Sequence, residues 1–224
     1  MKDELKNISS HMLKLGLSAL QHSNWHANYY SFENDMWHEL SVLQAAHAME
    51  ILIKARIAEE HPLLIFETLP KYSEHNDKLN FIQLLDKSRT IPYSELPDRL
   101  WITTGIKLSD RKLYDKFGKL RNSIQHFKEP LNKDFSEETL KYIYSIIDPF
   151  INQCWELYAI NYNEDTEPYQ YLLNGLIRRN IKFLVPENTL EYEIKTLDFS
   201  ECSDNYRKEM IRRFINAGYT IEEI

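Results

Sequence analysis

Arg121-Asn122-Ser123-Ile124-Gln125-His126 sets an arginine and a histidine close together in the sequence. A guanidinium grips phosphate oxygens through paired N–H donors. An imidazole titrates near neutrality and moves protons in either direction. The pair can therefore act on a phosphodiester without a metal, and RNA is the substrate it suggests. The alternative is an ordinary solvated helix face that happens to carry a histidine.

Helical geometry bears on that choice. Leu113, Phe117, Leu120 and Ile124 recur at i, i+4, i+7 and i+11 and predict the buried face of one helix. At about 100° per residue, Asn122 falls about 160° and His126 about 200° from Ile124, both away from the predicted core stripe. They are also i and i+4, hence neighbours on one face. Arg121 falls about 60° from Ile124, where its stem can lie on apolar surface while its head reaches outward.

The helix is the chain's basic exception. The protein has 224 residues, with 27 Lys and Arg against 34 Asp and Glu, for a net charge of −7. A chain this acidic is no general polyanion binder, so contact with nucleic acid needs a local patch. Between Lys107 and Lys128, seven basic residues face only Asp110 and Asp115. Arg111, Lys112 and Lys119 share the outward half with Asn122 and His126, and are the candidate RNA-binding positions. Acidic neighbours in the fold would cancel that patch.

Hydrophobic residues make up 43% of the chain, with only 5 Gly and 8 Pro, which argues for a packed domain over a disordered or all-β one. The expected class is all-α. A first amphipathic helix over 3–27 carries Leu5, Ile8, Met12, Leu15 and Ala19. A second, over 34–60, is apolar enough to pack on more than one side. Pro62 ends or kinks it. A short helix follows at 78–88, then a connector punctuated by Pro92 and Pro97, which Trp101 and Ile102 should anchor to the core. Ser109 or Asp110 can cap the helix carrying the Arg–His pair, which runs to about Phe127 before Pro130. Ser136 can cap the next helix, expected to about Ile160 with a kink near Pro149. Beyond a polar linker at 161–168, the pattern predicts helices at 168–180 and 204–216 and a short β-like stretch at 189–196.

Leu120 to Phe127 resembles the signature of the HEPN superfamily: Arg, four to six residues, then His, very often with Asn directly after the Arg. The run Leu43-Gln-Ala-Ala-His-Ala-Met-Glu50-Ile-Leu-Ile-Lys54-Ala resembles the long core helix that precedes the motif helix in many members. The order of elements also agrees. The resemblance covers roughly residues 1–160, leaving 161–224 as a C-terminal extension of unknown role. It implies an all-α bundle acting as a homodimer, with two motif copies meeting in one cleft. It further implies a metal-independent endoribonuclease, without cofactor, of the kind found in toxin–antitoxin and phage-defence systems, with an antitoxin or defence-system protein as a possible partner. Arg121 and His126 would be catalytic and Asn122 would assist. Other members are non-catalytic modules that bind RNA, nucleotide or protein, which is the second expectation.

Other residues add less. Glu50 interrupts an apolar helix, and an i+4 ion pair with Lys54 is its simplest account. In some HEPN proteins an acidic residue on this helix approaches the motif arginine, so Glu50 stays a supporting candidate. His47 reads as a surface residue. His22 and His26 have metal-ligand spacing but no carboxylate completes the set, and His38 with Glu39 lacks a partner. No Gly-rich phosphate loop and no Gly-x-Ser-x-Gly elbow occurs. Cys154 and Cys202 make no disulfide framework, no apolar run approaches a membrane span, and a cytoplasmic location is expected.

Overall fold

The computed structural model describes residues 5–71, 80–126, 134–163, 169–187 and 196–220. It is mainly helical: α1 Ile8–Asn28, α2 Trp37–Glu60, α3 Phe81–Lys87, α4 Leu96–Thr104, α5 Arg111–Gln125, α6 Phe135–Tyr142, α7 Asp148–Trp155, α8 Tyr169–Arg178 and α9 Asp204–Asn216. The described strands are β1 Phe66–Thr68 and β2 Arg89–Thr90, an antiparallel pair in which Phe66 faces Thr90. The all-α expectation holds, with a small β element in an unexpected place. The β-like stretch expected at 189–196 lies, apart from Thr196, outside the described residues, as does the stop at Pro130. No described helix is long and apolar enough to cross a membrane.

The chain forms two compact units, residues 1–18 with 47–108 and residues 19–46 with 109–224. In the first unit, the early part of α1 meets the later part of α2. Gly16 makes the approach possible: a Cβ there would lie 2.7 Å from Leu52 Cγ and 3.3 Å from the Leu52 backbone nitrogen. Leu52, Ile53, Ala55, Ile57 and Ala58 are all buried, as expected for a helix packed on several sides. Leu15, by contrast, is exposed and does not belong to the buried stripe of α1. Pro62 ends α2 and opens a 3₁₀ turn, capped by His61 Nδ1 accepting from the Leu63 N–H.

The connector after Pro92 is largely α4. Pro97 sits in its first turn, where a missing N–H costs nothing and the fixed φ suits a helix. Leu96 and Leu100 are its buried anchors. Trp101 (51% exposed) and Ile102 (73%) point outward, contrary to the expectation that they hold the connector to the core.

In the second unit, Phe117 of α5 stacks on Tyr142 of α6 with ring centroids 3.8 Å apart, and Tyr114 lies beside them. Small polar residues join the neighbouring helices: Ser23 Oγ donates to Ser41 O, Ser41 Oγ to Thr139 Oγ1, and Asn24 Nδ2 to the carbonyls of Ala159 and Tyr162. Asp134, not Ser136, caps α6 by accepting from the Glu137 N–H, while Ser136 Oγ donates to Ala27 O. A π-helical stretch, Ile143–Ile147, joins α6 to α7. Pro149 cannot donate to Ser145 O four residues back, and Ser109 Oγ donates to that carbonyl instead. α7 ends at Trp155, with Glu156 left-handed at φ 57°, short of the expected Ile160.

The later segments are tied into the same unit. Asp148 is buried and its two oxygens accept from the Ala159 N–H (2.8 Å) and the Leu184 N–H (2.9 Å). Tyr206 donates to Ile181 O, Arg213 to Phe183 O and Tyr219 to Pro186 O.

Candidate functional site

Helix α5 begins at Asp110, whose carboxylate accepts from the Leu113 N–H at 2.9 Å and lies at the positive end of the helix dipole. Its buried side is Tyr114, Phe117, Gly118 and Leu120, while Leu113 and Ile124 are only half-buried. The core stripe is thus turned from the one that aliphatic spacing predicts, toward Tyr114 and Gly118. An aromatic with a polar tip and a residue without a side chain carry no strong hydrophobic signal, yet both fit a tight helix contact.

That turn matters for the three motif residues. Asn122 and His126 are exposed, as predicted. The last helical bond joins them, with the His126 N–H donating to Asn122 O at 3.1 Å. His126 is the C-cap, at φ −108° and ψ 13°, so the imidazole hangs on the residue where the helix lets go. Arg121 is half-buried with its Nε enclosed, on the side of Tyr114 and Gly118, to which it stands at i+7 and i+3. Along an ideal helix, positions 121 and 126 project about 140° apart. One chain therefore brings Asn122 and His126 together and sends Arg121 out along a different side of the same helix.

The basic face is partly spent within the fold. Arg111 Nε is paired with Asp115 at 3.0 Å, and Lys116 Nζ reaches both oxygens of Glu138 at 3.0 Å. Lys112 and Lys119 are exposed and make no ion pair among the described residues. With Asn122 and His126 they form an open stripe at 112, 119, 122 and 126. Lys107 belongs to the first unit, with its Nζ 5.5 Å from the centre of the Trp101 ring. Arg111 is therefore the least available of the three RNA-binding candidates.

Glu50 also lies in the first unit. It accepts from Lys54 Nζ at 2.7 Å, and the buried Lys54 donates further to Thr90 Oγ1 at 3.2 Å. The i+4 pairing read from the sequence is what the carboxylate does there. His47 is exposed. His22 and His26 stand with ring centroids 6.1 Å apart, and His26 packs on Trp37 at 3.9 Å. No set of three His, Cys, Asp or Glu suited to a metal ion occurs among the described residues.

Sequence reading passed over a second polar surface in the same unit. Asn28, Tyr29, Tyr171, Asn174, Gly175, Arg178 and Arg179 line an open cleft of about 520 Å³. Its signal was present as the spacing Tyr171, Asn174, Arg178 (i, i+3, i+7) on α8, on the side away from the buried Leu172, Leu173, Leu176 and Ile177.

Comparison of the chain with family models, curated proteins and solved structures finds no match in any of the three. What the site defines is accordingly a class by geometry alone: a helical protein with an exposed Asn–His pair at a helix end, an adjacent half-buried arginine, and two open lysines on the same helix.

Proposed function

We propose that the chain is a metal-independent endoribonuclease of the HEPN kind, acting as a homodimer in a toxin or phage-defence setting. The observation that carries this reading is the exposed pair Asn122 and His126, one helical turn apart on α5, in line with Lys119 and Lys112. An imidazole on an open face beside uncommitted ammonium groups is accessible to a phosphodiester, where a core histidine is not.

The chemistry follows from the residue types. RNA supplies its own nucleophile. A histidine takes the 2′-OH proton, the 2′-oxygen attacks phosphorus, and the P–O5′ bond breaks as the 5′-oxygen gains a proton. Arg121 neutralises the charge that builds on the non-bridging oxygens, and Asn122 orients the imidazole or donates to the phosphate. The products carry 2′,3′-cyclic phosphate and 5′-OH ends. Base and acid are two roles, and each copy contributes one motif histidine. A second copy also offers another Arg121 and His126, which favours a shared cleft given how far apart the two positions project from one helix.

The test is single-stranded RNA in EDTA with wild-type protein, Arg121→Ala and His126→Ala. Cleavage by the wild type with cyclic phosphate ends, and a loss of at least about 100-fold in each variant, is the expected result. Variants that cut as well as wild type would remove the site. The second reading is a non-catalytic RNA-, nucleotide- or protein-binding module. It draws on the pairing of Arg111 and Lys116 with carboxylates, which narrows the open positive surface. It predicts no RNA cleavage under any condition tried, with RNA retained where the module is of the RNA-binding kind.

A further inference from the structure

The cleft on α8 carries chemistry that the Arg121–His126 reading does not use. Two arginines stand at its rim on consecutive positions, 178 and 179. Among the described residues no acidic side chain lines it, in a chain whose net charge is −7. Cations in the last turn of a helix complement the dipole, and Arg179 Nη1 does donate to Gly175 O at 3.0 Å. That accounts for one nitrogen of one guanidinium. Arg178 is 60% exposed and only loosely held, 3.9 Å from the exposed carboxylate of Glu201.

The walls are built more firmly than the rim. Asn174 uses both ends of its amide, Nδ2 donating to Thr196 O and Oδ1 accepting from the Asp198 N–H, so the loop beyond α8 is pinned beside the cleft. Gly175 lets the end of α1 come close, since a Cβ at 175 would collide with Asn28 Oδ1. Tyr29 is braced against Trp25 with ring centroids 4.5 Å apart. Tyr171, 51% exposed, offers a second aromatic surface. The volume lies within the ordinary range for small-molecule sites.

We propose that this cleft binds a small phosphate ester bearing a flat ring, with Arg178 and Arg179 holding the phosphate and Tyr171 and Tyr29 flanking the ring. Paired guanidiniums match the phosphate oxygens in number and geometry. The open surface of Tyr171, with the half-buried Tyr29 also in the lining, favours an aromatic group over a sugar phosphate alone. Glu201, 3.9 Å from Arg178, is the competing anion that the phosphate displaces, and Asp198 in the pinned loop also feels the Arg178 charge. The assignment stands apart from the nuclease reading, since neither Arg121 nor His126 lines the cleft.

Calorimetry on the full chain tests it with four probes: adenosine 5′-monophosphate, adenosine, ribose 5-phosphate and inorganic phosphate. The monophosphate is expected to bind with Kd below about 1 mM and more tightly than each of the other three. Arg178→Ala/Arg179→Ala should weaken it at least about tenfold, with the ligand-free melting temperature falling only slightly, since the variant loses the Arg179 bond to Gly175 O and two exposed cations at the helix end. Tyr171→Ala should weaken the monophosphate and leave inorganic phosphate unchanged. Glu201→Gln should tighten the monophosphate by up to about fivefold, the scale of one surface ion pair. Binding of adenosine as tight as that of its monophosphate, unchanged affinity in the double arginine variant, or no binding at millimolar ligand would each overturn the assignment. Equal affinity for inorganic phosphate and the monophosphate would overturn the ring's part in it.

Discussion

Asp148 shows what a single residue carries in this fold. Its carboxyl is buried and accepts two backbone N–H bonds, from Ala159 and Leu184. Burial pushes its pKa up to about 7, against the pull of those two bonds and of the Arg213 charge. An unfolded aspartate titrates near 3.9. The folded state therefore holds a proton that the unfolded chain has released between about pH 4 and pH 7. The stability this group contributes is complete below about pH 4 and is lost as pH rises through about 7, a span on the order of 4 kcal/mol. Asp148→Asn removes the titration and can satisfy only one of the two N–H donors, at a cost of about 1–3 kcal/mol. Denaturant melts at pH 5 and pH 8 are expected to show the wild type losing more stability than the variant between the two. Parallel pH slopes would show that Asp148 does not titrate in this range. None of this was legible in the sequence, where Asp148 is one acid before a proline. The outward direction of Asn122 and His126 was legible, because helical spacing alone sets it. The Arg111–Asp115 pair was also open to reading at i+4, but the partner of Lys116 is Glu138, on another helix.

At the scale of elements, the errors of sequence reading share a cause: residues with little apolar signal form the contacts. The buried side of α1 passes through Gly16, Ala19, Leu20, Ser23, Asn24 and Ala27, while Leu15 faces solvent. Hydrophobic spacing predicts the reverse for Leu15. Small residues let helices approach closely, and the Ser23 hydroxyl and Asn24 amide find their partners only once the fold exists. In α4, Pro97 reads as punctuation although it is acceptable in a first turn. By contrast α2, a long apolar run stopped by Pro62, and α9, with clear periodicity, lie close to where the pattern puts them. The crossing at Gly16 gives a sharp prediction. Alanine is the better helix former by about 1 kcal/mol, so an exposed glycine there would gain from the change. Gly16→Ala instead drives a methyl against Leu52 Cγ, a fully buried side chain. A net loss of about 1–3 kcal/mol is expected from overpacking, read as a lower denaturant midpoint with an unchanged slope. Gly16→Ala combined with Leu52→Ala should recover part of that loss relative to Leu52→Ala alone. A stabilising Gly16→Ala would mean that the helices do not meet at this point.

For the whole molecule, net charge and motif pull in different directions. A protein at −7 repels RNA except where a local surface reverses the sign. On α5 that surface rests mainly on Lys112 and Lys119, with Arg121 half-buried at its side, because Arg111 and Lys116 already have partners. One copy of such a stripe is a small target. Two copies brought together about a two-fold axis would double the lysines and assemble both histidines and both arginines around one phosphate. Catalysis then depends on association, and this separates the proposed dimer from a self-sufficient monomer. As total protein is diluted through the dimer dissociation constant, specific activity should fall in proportion to the fraction of dimer, with the midpoint matching that found by sedimentation. Below the midpoint, activity per volume should approach the square of protein concentration. A monomeric nuclease would keep the same specific activity at every dilution. Lys112→Ala/Lys119→Ala should weaken RNA binding and flatten its salt dependence, the slope of log K against log salt falling by about 0.7 per lost phosphate contact on single strands. The sedimentation midpoint itself should not move, since RNA binding and association are separate properties of the molecule. If that double variant shifted the dimer midpoint and left the salt slope intact, the lysine stripe would be an association surface, and the phosphate path would have to run elsewhere on the chain.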